Sequence, residues 1–488
     1  MVFKDSNYTK IIAVLGVIYS FLFLTGCLEE GGANLNQREA GSSSGGVQVG
    51  AGLLALKEDG SGLLAKSGSD LYYADIHLGN VRRVEETKNP QSIAFGNRNG
   101  VLYISSNLNQ KDDVPRDQSS RSLQHPSFSD ELKAFWLDGN RTLWRKKIKV
   151  QMNLFGSKLE HYPKLFPTKD DRYLILGNYK SVEVLDSYTG RAIKTFYLKR
   201  PLVDMTLDQN GSDILVVTDE EWTTGSNSAP YSKLIKFDWK NDMRTEIDIP
   251  NCASKLQVSK DRSTIFMSPT RCRKDPVSII DLRNFRFVRN LPGFGPVALD
   301  SLGERAIAFM DMHNLDESLF IKGDSIPIMD GKRYRLMVID VHSHRFDTYA
   351  LGDNIPRYAL TPDGNVVLID HSKGDHEAVR ILDFHQRRIS NVSGPAIKLE
   401  NFVITEDSRF VYLLDRGLYE LYVPGRRVDS VSLGFVPYSI NITPHTQNLI
   451  LGEKGNSRIR VWDPVRRKTL QVFDIPKGSS MREGLVAH

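Results

Sequence analysis

Ile355-Pro356-Arg357-Tyr358-Ala359-Leu360-Thr361-Pro362-Asp363-Gly364-Asn365-Val366-Val367-Leu368-Ile369 reads as a short apolar strand, a polar turn and a second, more apolar strand. Apolar runs of about four to eight residues bounded by Gly, Asp, Asn and Pro are strands and turns. Pro362 presets the turn backbone and Gly364 accepts a positive φ. The same turn recurs at Thr405-Glu406-Asp407-Ser408 and at Asp208-Gln209-Asn210-Gly211. Further on in six of the units a third strand ends in aspartate: Val184-Leu185-Asp186, Lys236-Phe237-Asp238, Ile279-Ile280-Asp281, Val338-Ile339-Asp340, Ile381-Leu382-Asp383 and Val461-Trp462-Asp463. A turn and a fourth strand follow. Helical periodicity is not sustained between residues 51 and 476.

A four-stranded unit at near-constant spacing is the signature of a β-propeller blade. One such sheet cannot bury its faces alone, so neighbours must stack around an axis. Nine candidate units start near residues 52, 91, 162, 201, 253, 296, 356, 399 and 437. Propellers typically have about four to eight blades, so either the first unit is degenerate or the ring is large. The expectation is an all-β chain: a single propeller of eight or nine four-stranded blades over residues 51–476, then a tail at 477–488. No linker inside the body divides it into two smaller rings.

The units resemble the YVTN/WD40-like repeats of bacterial propellers. Residues 355–369 are the most similar stretch, and Val338-Ile339-Asp340-Val341 and Val461-Trp462-Asp463-Pro464 match the third strand. The signature Tyr-Val-Thr-Asn does not occur intact, and Trp462-Asp463 is the only Trp-Asp pair. The resemblance implies architecture and leaves activity open, because one fold hosts many functions.

The N-terminus carries a second resemblance. Lys4 and Lys10 precede an apolar run, Ile11 to Leu24, broken only by Ser20. The run is shorter than the about 20 residues a membrane-spanning helix needs. It closes on Leu24-Thr25-Gly26-Cys27, which resembles the lipobox of bacterial lipoproteins. That resemblance implies a signal peptide at 1–26 and palmitate-type acylation of Cys27 as the new N-terminus. Two or more acyl chains hold a protein durably on a membrane. Leu28 and Glu29 follow, with no aspartate directly after the cysteine. In a Gram-negative host this favours the outer membrane, on its periplasmic side or at the cell surface. Residues 27–50 are rich in Gly, Ser, Asn and Ala and read as a flexible tether with a mean reach of about 26 Å.

About 440 residues remain for the body, enough for a large core. The formal net charge is +5 with acids and bases interspersed, unlike the concentrated basic face of a nucleic-acid binder. No later apolar run reaches membrane-spanning length, so the expected mature chain is lipid-anchored and otherwise soluble.

With Cys27 used by the anchor, Cys252 and Cys272 remain. Leu256-Gln257-Val258 and Thr264-Ile265-Phe266-Met267 read as a hairpin, and residue 262 lies midway between the cysteines. Residues equidistant from an antiparallel turn face each other at about 4.5–5.5 Å between Cα atoms, which suits a disulfide worth on the order of 3 kcal/mol. Two free thiols are the alternative.

Loops after second strands lie on one face of a propeller; turns after first and third strands lie on the other. The long insertions 106–130, 219–232 and 310–333, and the shorter 269–276 and 371–377, all follow second strands. Insertions gathered on one face of a repeat protein mark a binding face, although plain surface elaboration would look the same. Asp219, Asp311, Asp370, Asp415 and Glu453 end second strands on that face, with Trp222, His313 and His371 close by. A ring of carboxylates attracts a cation or a basic partner, and it is equally what solvated loops show. No Cys-x-x-Cys, His-Glu-x-x-His or calcium-loop spacing occurs, so no metal or other cofactor is expected. His342 and His344 lie on the opposite face among Arg387-Arg388, Arg426-Arg427 and Arg466-Arg467-Lys468. Those basic residues could meet lipid phosphates, but the strand-ending aspartates share the face and offset them.

No nucleophile elbow, P-loop or dinucleotide fingerprint stands in a suitable context. The expected function is a tethered envelope scaffold that binds a protein partner, with no catalytic residues. The alternative is a lactonase-like propeller enzyme or small-molecule binder, with Asp311, His313, Asp370 and His371 at the channel mouth.

Overall fold

Nine antiparallel sheets follow one another along the chain, each a meander of four consecutive strands. The computed structural model describes residues 47–48 and most of 55–476; residues 1–46, 49–54, 108–126, 152–162, 219–231, 270–275, 371–378 and 477–488, with breaks of one to four residues elsewhere, lie outside the description. Sheets 1 to 9 span residues 55–86, 90–151, 164–197, 202–249, 255–291, 294–352, 357–391, 401–431 and 437–474. The starts fall within three residues of those read from the repeat. Eight sheets have four strands; sheet 2 carries a fifth, β1 (Val47–Gln48). Among the described residues, no helix is long and apolar enough to cross a membrane.

The sheets form one closed β-propeller. Each joint is an apolar cluster contributed by two neighbouring sheets. Sheets 3 and 4, for example, share Ile175, Val184, Met205 and Phe237. Sheets 6 and 7 share Phe309, Leu336, Tyr358 and Leu382. The last joint brings Leu63, Ala65, Tyr72 and Ala74 of sheet 1 against Ile450, Val461 and Phe473 of sheet 9. No strand is exchanged there: sheet 1 is built wholly from early strands and sheet 9 wholly from late ones. Among the described residues, side-chain packing closes the ring.

Position within a sheet explains the sequence pattern. Second strands are packed on both faces and read as continuous apolar runs; all of Thr264–Ser268 is buried. Fourth strands form the outer wall, and Met243–Ile249 is exposed over most of its length. First strands of neighbouring sheets touch one another, as in sheets 2–3, 4–5 and 8–9, so they line the axis.

The first turn is a self-contained hydrogen-bonded unit. Thr168 Oγ1 donates to Asp170 and accepts from the Tyr173 N–H; Thr405 and Ser259 repeat this with Asp407 and Asp261. The last residue of the turn holds a positive φ: Asp171, Arg262 and Ser408 do so where Gly211 and Gly364 do elsewhere. Glycine suits this position best. The aspartates that end third strands cap the second turn. Asp186, Asp281 and Asp463 each accept backbone N–H groups two and three residues on. Asp75 of sheet 1 does the same, a seventh instance beyond the six read from the repeat.

The hairpin between Cys252 and Cys272 is present, pairing Lys255 with Ser268 through to Val258 with Ile265. Its centre lies between Asp261 and Arg262, half a residue from the midpoint of the cysteines. Both cysteines, like Cys27 and the segment 1–46, fall outside the described residues.

Candidate functional site

First strands run from the face carrying the second-strand loops, here the loop face, to the face of the tight turns. Register shifts interrupt the loop-face end of the first strand in sheets 2, 4, 6 and 9. A bulge bends a strand and re-aims a side chain, and such features gather near sites. In sheet 9 the extra residue is Tyr438, which lies between the pairs Pro437–Glu453 and Ser439–Gly452. Tyr438 is 52% exposed, and Val436, two residues before it, 49%. Gly452 makes room for this arrangement: a Cβ there would lie 2.9 Å from Cε1 of Tyr438. Partial burial pushes the Tyr438 hydroxyl above the usual phenol range.

Glu453 sits at the same end of the sheet, almost fully buried. Arg460 holds it through Nε at 3.0 Å and Nη2 at 2.9 Å. The guanidinium also lies over the Phe435 ring, 4.5 Å from its centroid. Both Arg460 donors meet the same oxygen, Oε2, whereas in sheet 6 an arginine spans both oxygens of its acid. Arg333 donates to Asp311 through Nε at 3.2 Å and Nη2 at 3.1 Å, and it stacks on Tyr334 at 4.8 Å. Two-point arginine–carboxylate contacts fix orientation as well as charge. Burial pushes the Asp311 carboxyl up, but Arg333 and the donors of His313 and Asn314 outweigh it and hold it below the usual carboxylate range.

Two of the expected acids are therefore not bare carboxylates. Asp311 and Glu453 are each neutralised by an arginine of their own sheet. His313 is exposed, and Asp311 caps its backbone N–H at 3.1 Å without engaging the imidazole. The Asp311–His313 proximity is thus a helix cap and not an acid–imidazole dyad. Asp415 is half-buried after the second strand of sheet 8. Asp370 ends its strand opposite Arg357 and Val379. Asp219, Trp222 and His371 lie outside the described residues. Among the described residues no group of three or more His, Cys, Asp or Glu is placed to hold a metal.

Sequence reading missed the arginines. The signal was available in the register: Asp311 and Glu453 end second strands, and Arg333 and Arg460 stand at or near the start of the facing third strands. It also missed a relay on the inner wall. Lys164 donates to Asp204 at 2.6 Å, and the other Asp204 oxygen accepts the Leu256 N–H at 2.9 Å, linking sheets 3, 4 and 5.

One long insertion does not stay on the loop face. Residues 312–327 run over the outer wall between sheets 5 and 6. Phe320 packs on Phe346 at 5.5 Å, and Ser325 N–H donates to the Phe346 carbonyl at 3.0 Å. Arg289 of sheet 5 pairs at 2.9 Å with Asp324, whose side chain is buried. This segment is a strap across a joint, and its apolar residues account for its length.

On the turn face the basic residues are largely paired, as their aspartate neighbours imply. Arg426 meets Asp383 at 3.0 Å and Arg427 meets Asp429 at 2.8 Å. Arg466 and Arg467 meet Asp463 and Glu420 at 3.7 and 3.4 Å.

No protein-family model and no curated protein sequence matches the chain. Solved structures do. The Dos1 propeller shares 10% identity over 84% of this chain and 91% of its own, with a TM-score of 0.44. Dihydro-heme d1 dehydrogenase NirN in complex with DHE shares 11% over 88% of this chain and 74% of its own, at 0.46. A eukaryotic initiation factor shares 10% over 89% and 93%, at 0.49. These likenesses concern the fold alone.

Proposed function

We propose that this chain is a lipid-anchored envelope propeller that binds a protein partner through its loop face, with Tyr438 and Arg460 at the centre of the contact. The carrying observation is Tyr438, lifted onto a bulge, half exposed, and set beside Val436 and the Arg460–Glu453 clamp. Binding energy at protein interfaces concentrates in a few Tyr, Trp and Arg residues ringed by less critical contacts. The paired charges of the rim supply register at little desolvation cost, because Asp311 and Glu453 already have their cations. The lipobox-like tetrad ending at Cys27 supports attachment of the ring to a membrane, and the absence of an aspartate directly after it favours the outer membrane. The YVTN/WD40-like repeats supply a rigid disc for the partner, and no cofactor is assigned.

The test is affinity capture from crosslinked envelopes, with metal analysis of the same preparation. A discrete partner captured by the wild-type chain, and lost with Tyr438→Ala but retained with Leu78→Ala on the opposite face, supports the reading. A stoichiometric metal and no discrete partner would reverse it in favour of a propeller enzyme.

A further inference from the structure

The joint between sheets 1 and 9 carries, at its turn-face edge, apolar side chains that the ring does not bury. Leu78 is 74% exposed and Val465 91%. Both sit in tight turns between a third and a fourth strand. Leu78 lies between Asp70–Asp75 and Asn80–Glu86, Val465 between Arg458–Asp463 and Lys468–Asp474. The aspartate caps pin both turns. Asp75 Oδ1 accepts the His77 and Leu78 N–H groups at 2.9 and 2.8 Å, and Asp463 Oδ1 those of Val465 and Arg466 at 2.9 Å each. The equivalent turns of sheets 5 and 6 carry Arg283-Asn284 and His342-Ser343 instead. The two apolar tips are neighbours. Gly79, at φ 71°, comes so near the outer strand of sheet 9 that a Cβ there would lie 2.6 Å from Gln471 Nε2. Beside Gln471, Leu470 is the extra residue of a bulge between the pairs Val461–Gln471 and Trp462–Thr469, and it too is exposed.

Charge at this edge is layered. Arg466 and Arg467 are 69% and 61% exposed, whereas Asp463 and Glu420, their partners at 3.7 and 3.4 Å, are only 12% and 14% exposed. The carboxylates lie beneath and the guanidinium groups above, and Lys468 is exposed next to them. The turn face pairs its charges, yet what this edge shows to a partner is cationic. Ion pairs this exposed contribute little to stability, so the arginines can turn to another anion at small cost. Rigid apolar tips set among cations on a convex edge have one simple complement: a planar surface that is anionic outside and apolar just beneath, which is the interface of an anionic bilayer. We propose that the turn-face edge of the joint between sheets 1 and 9 rests on an anionic membrane surface, with Leu78 and Val465 among the headgroups and Arg466, Arg467 and Lys468 against lipid phosphates. The contact does not depend on the acyl group proposed at Cys27, although a basic patch is the kind of second signal that makes single-chain anchoring durable. It turns the loop face, with Tyr438, away from the bilayer.

The experiment uses the full chain with Cys27→Ala, so that no acyl group contributes. An environment-sensitive fluorescent amino acid is placed at position 465 and, in a second protein, at position 283, the matching tip of sheet 5. Each is titrated with vesicles of phosphatidylcholine, with and without phosphatidylglycerol, carrying lipid-embedded quenchers. A blue shift and quenching at 465 on the anionic vesicles, absent at 283 and weaker on the neutral vesicles, are expected. Leu78→Asp in the 465-labelled protein should raise the vesicle concentration at half-maximal shift about tenfold. Leu78 is exposed, so the melting temperature should not change. Equal responses at 465 and 283, equal responses to the two vesicle types, or no effect of Leu78→Asp overturn the proposal. A blue shift at 465 that grows with protein concentration without vesicles also overturns it, in favour of a second copy of this chain. Finding Cys27 unacylated in the wild-type protein would contradict the anchor and leave the vesicle result standing.

Discussion

Lys164 Nζ lies 2.6 Å from Asp204 Oδ1, across the joint between the third and fourth sheets. The second oxygen of Asp204 takes the Leu256 N–H of the fifth sheet. One nearly buried carboxylate thus ties three inner strands. Asp204→Ala leaves a partly buried ammonium and a buried backbone N–H unmatched, and should cost about 2–3 kcal/mol. Asp204→Asn keeps an acceptor for Leu256 and should cost less. Lys164→Met, which removes the cation while keeping the apolar stem, should cost about 1 kcal/mol or less. Urea denaturation of the three variants gives the order.

Ring closure rests on packing between sheets 1 and 9, with no exchanged strand among the described residues to reinforce it. Phe473 is 1% exposed in that cluster. Phe473→Ala should cost about 3–5 kcal/mol by lost transfer energy and an unfilled cavity. Hydrogen exchange should show the loss first in the flanking sheets, 55–86 and 437–474. A uniform loss over all nine sheets would point to fully cooperative unfolding.

The strap over sheets 5 and 6 depends on Arg289 and Asp324. Breaking a buried ion pair by removing one partner is costly, about 3–5 kcal/mol. Arg289→Ala should release residues 315–327 without unfolding the ring. Limited proteolysis should then cut within that segment, while the far-ultraviolet spectrum stays that of a β protein.

The same joint is sensitive to pH. Burial, and then the Arg289 guanidinium, push the His344 imidazole below its ordinary 6.5, against Asp281 and Asp340, which raise it; His342 adds a small lowering. Its Nε2 also lies 3.4 Å from Thr264 Oγ1. The folded state therefore binds this proton less readily than the unfolded chain. The contribution to stability is complete above the unfolded value and falls as pH drops through it toward the folded one. His344→Asn, which also tolerates the positive φ at this position, should flatten the decline in melting temperature between about pH 7 and pH 5.

The repeat made the sheets legible: strand-ending aspartates and Gly-type turns are local hydrogen-bonded units, so their sequence signal is local too. Val338-Ile339-Asp340 and Thr361–Gly364 could be read without any tertiary knowledge. The site was less legible because its parts come from different strands. Glu453 was visible as an acid at a strand end, but Arg460 acquires meaning only from the register that brings it alongside. Tyr438 gave no signal, since a bulge is a mismatch between two strands and not a property of either. The strap at 312–327 was visible as an insertion, while its direction was set by Phe346 and Arg289, far away in sequence. β1 lay hidden in a stretch whose Gly and Ser content reads as tether.

The central claim is that the loop face around Tyr438 holds a protein partner. A photo-crosslinking amino acid placed at position 438, and in a second strain at position 387 on the turn face, tests it most directly in intact envelopes. The account predicts one discrete adduct from position 438 and none of that mass from 387. The same adduct from both positions, or none from 438 while the protein is folded and present at normal level, would contradict it.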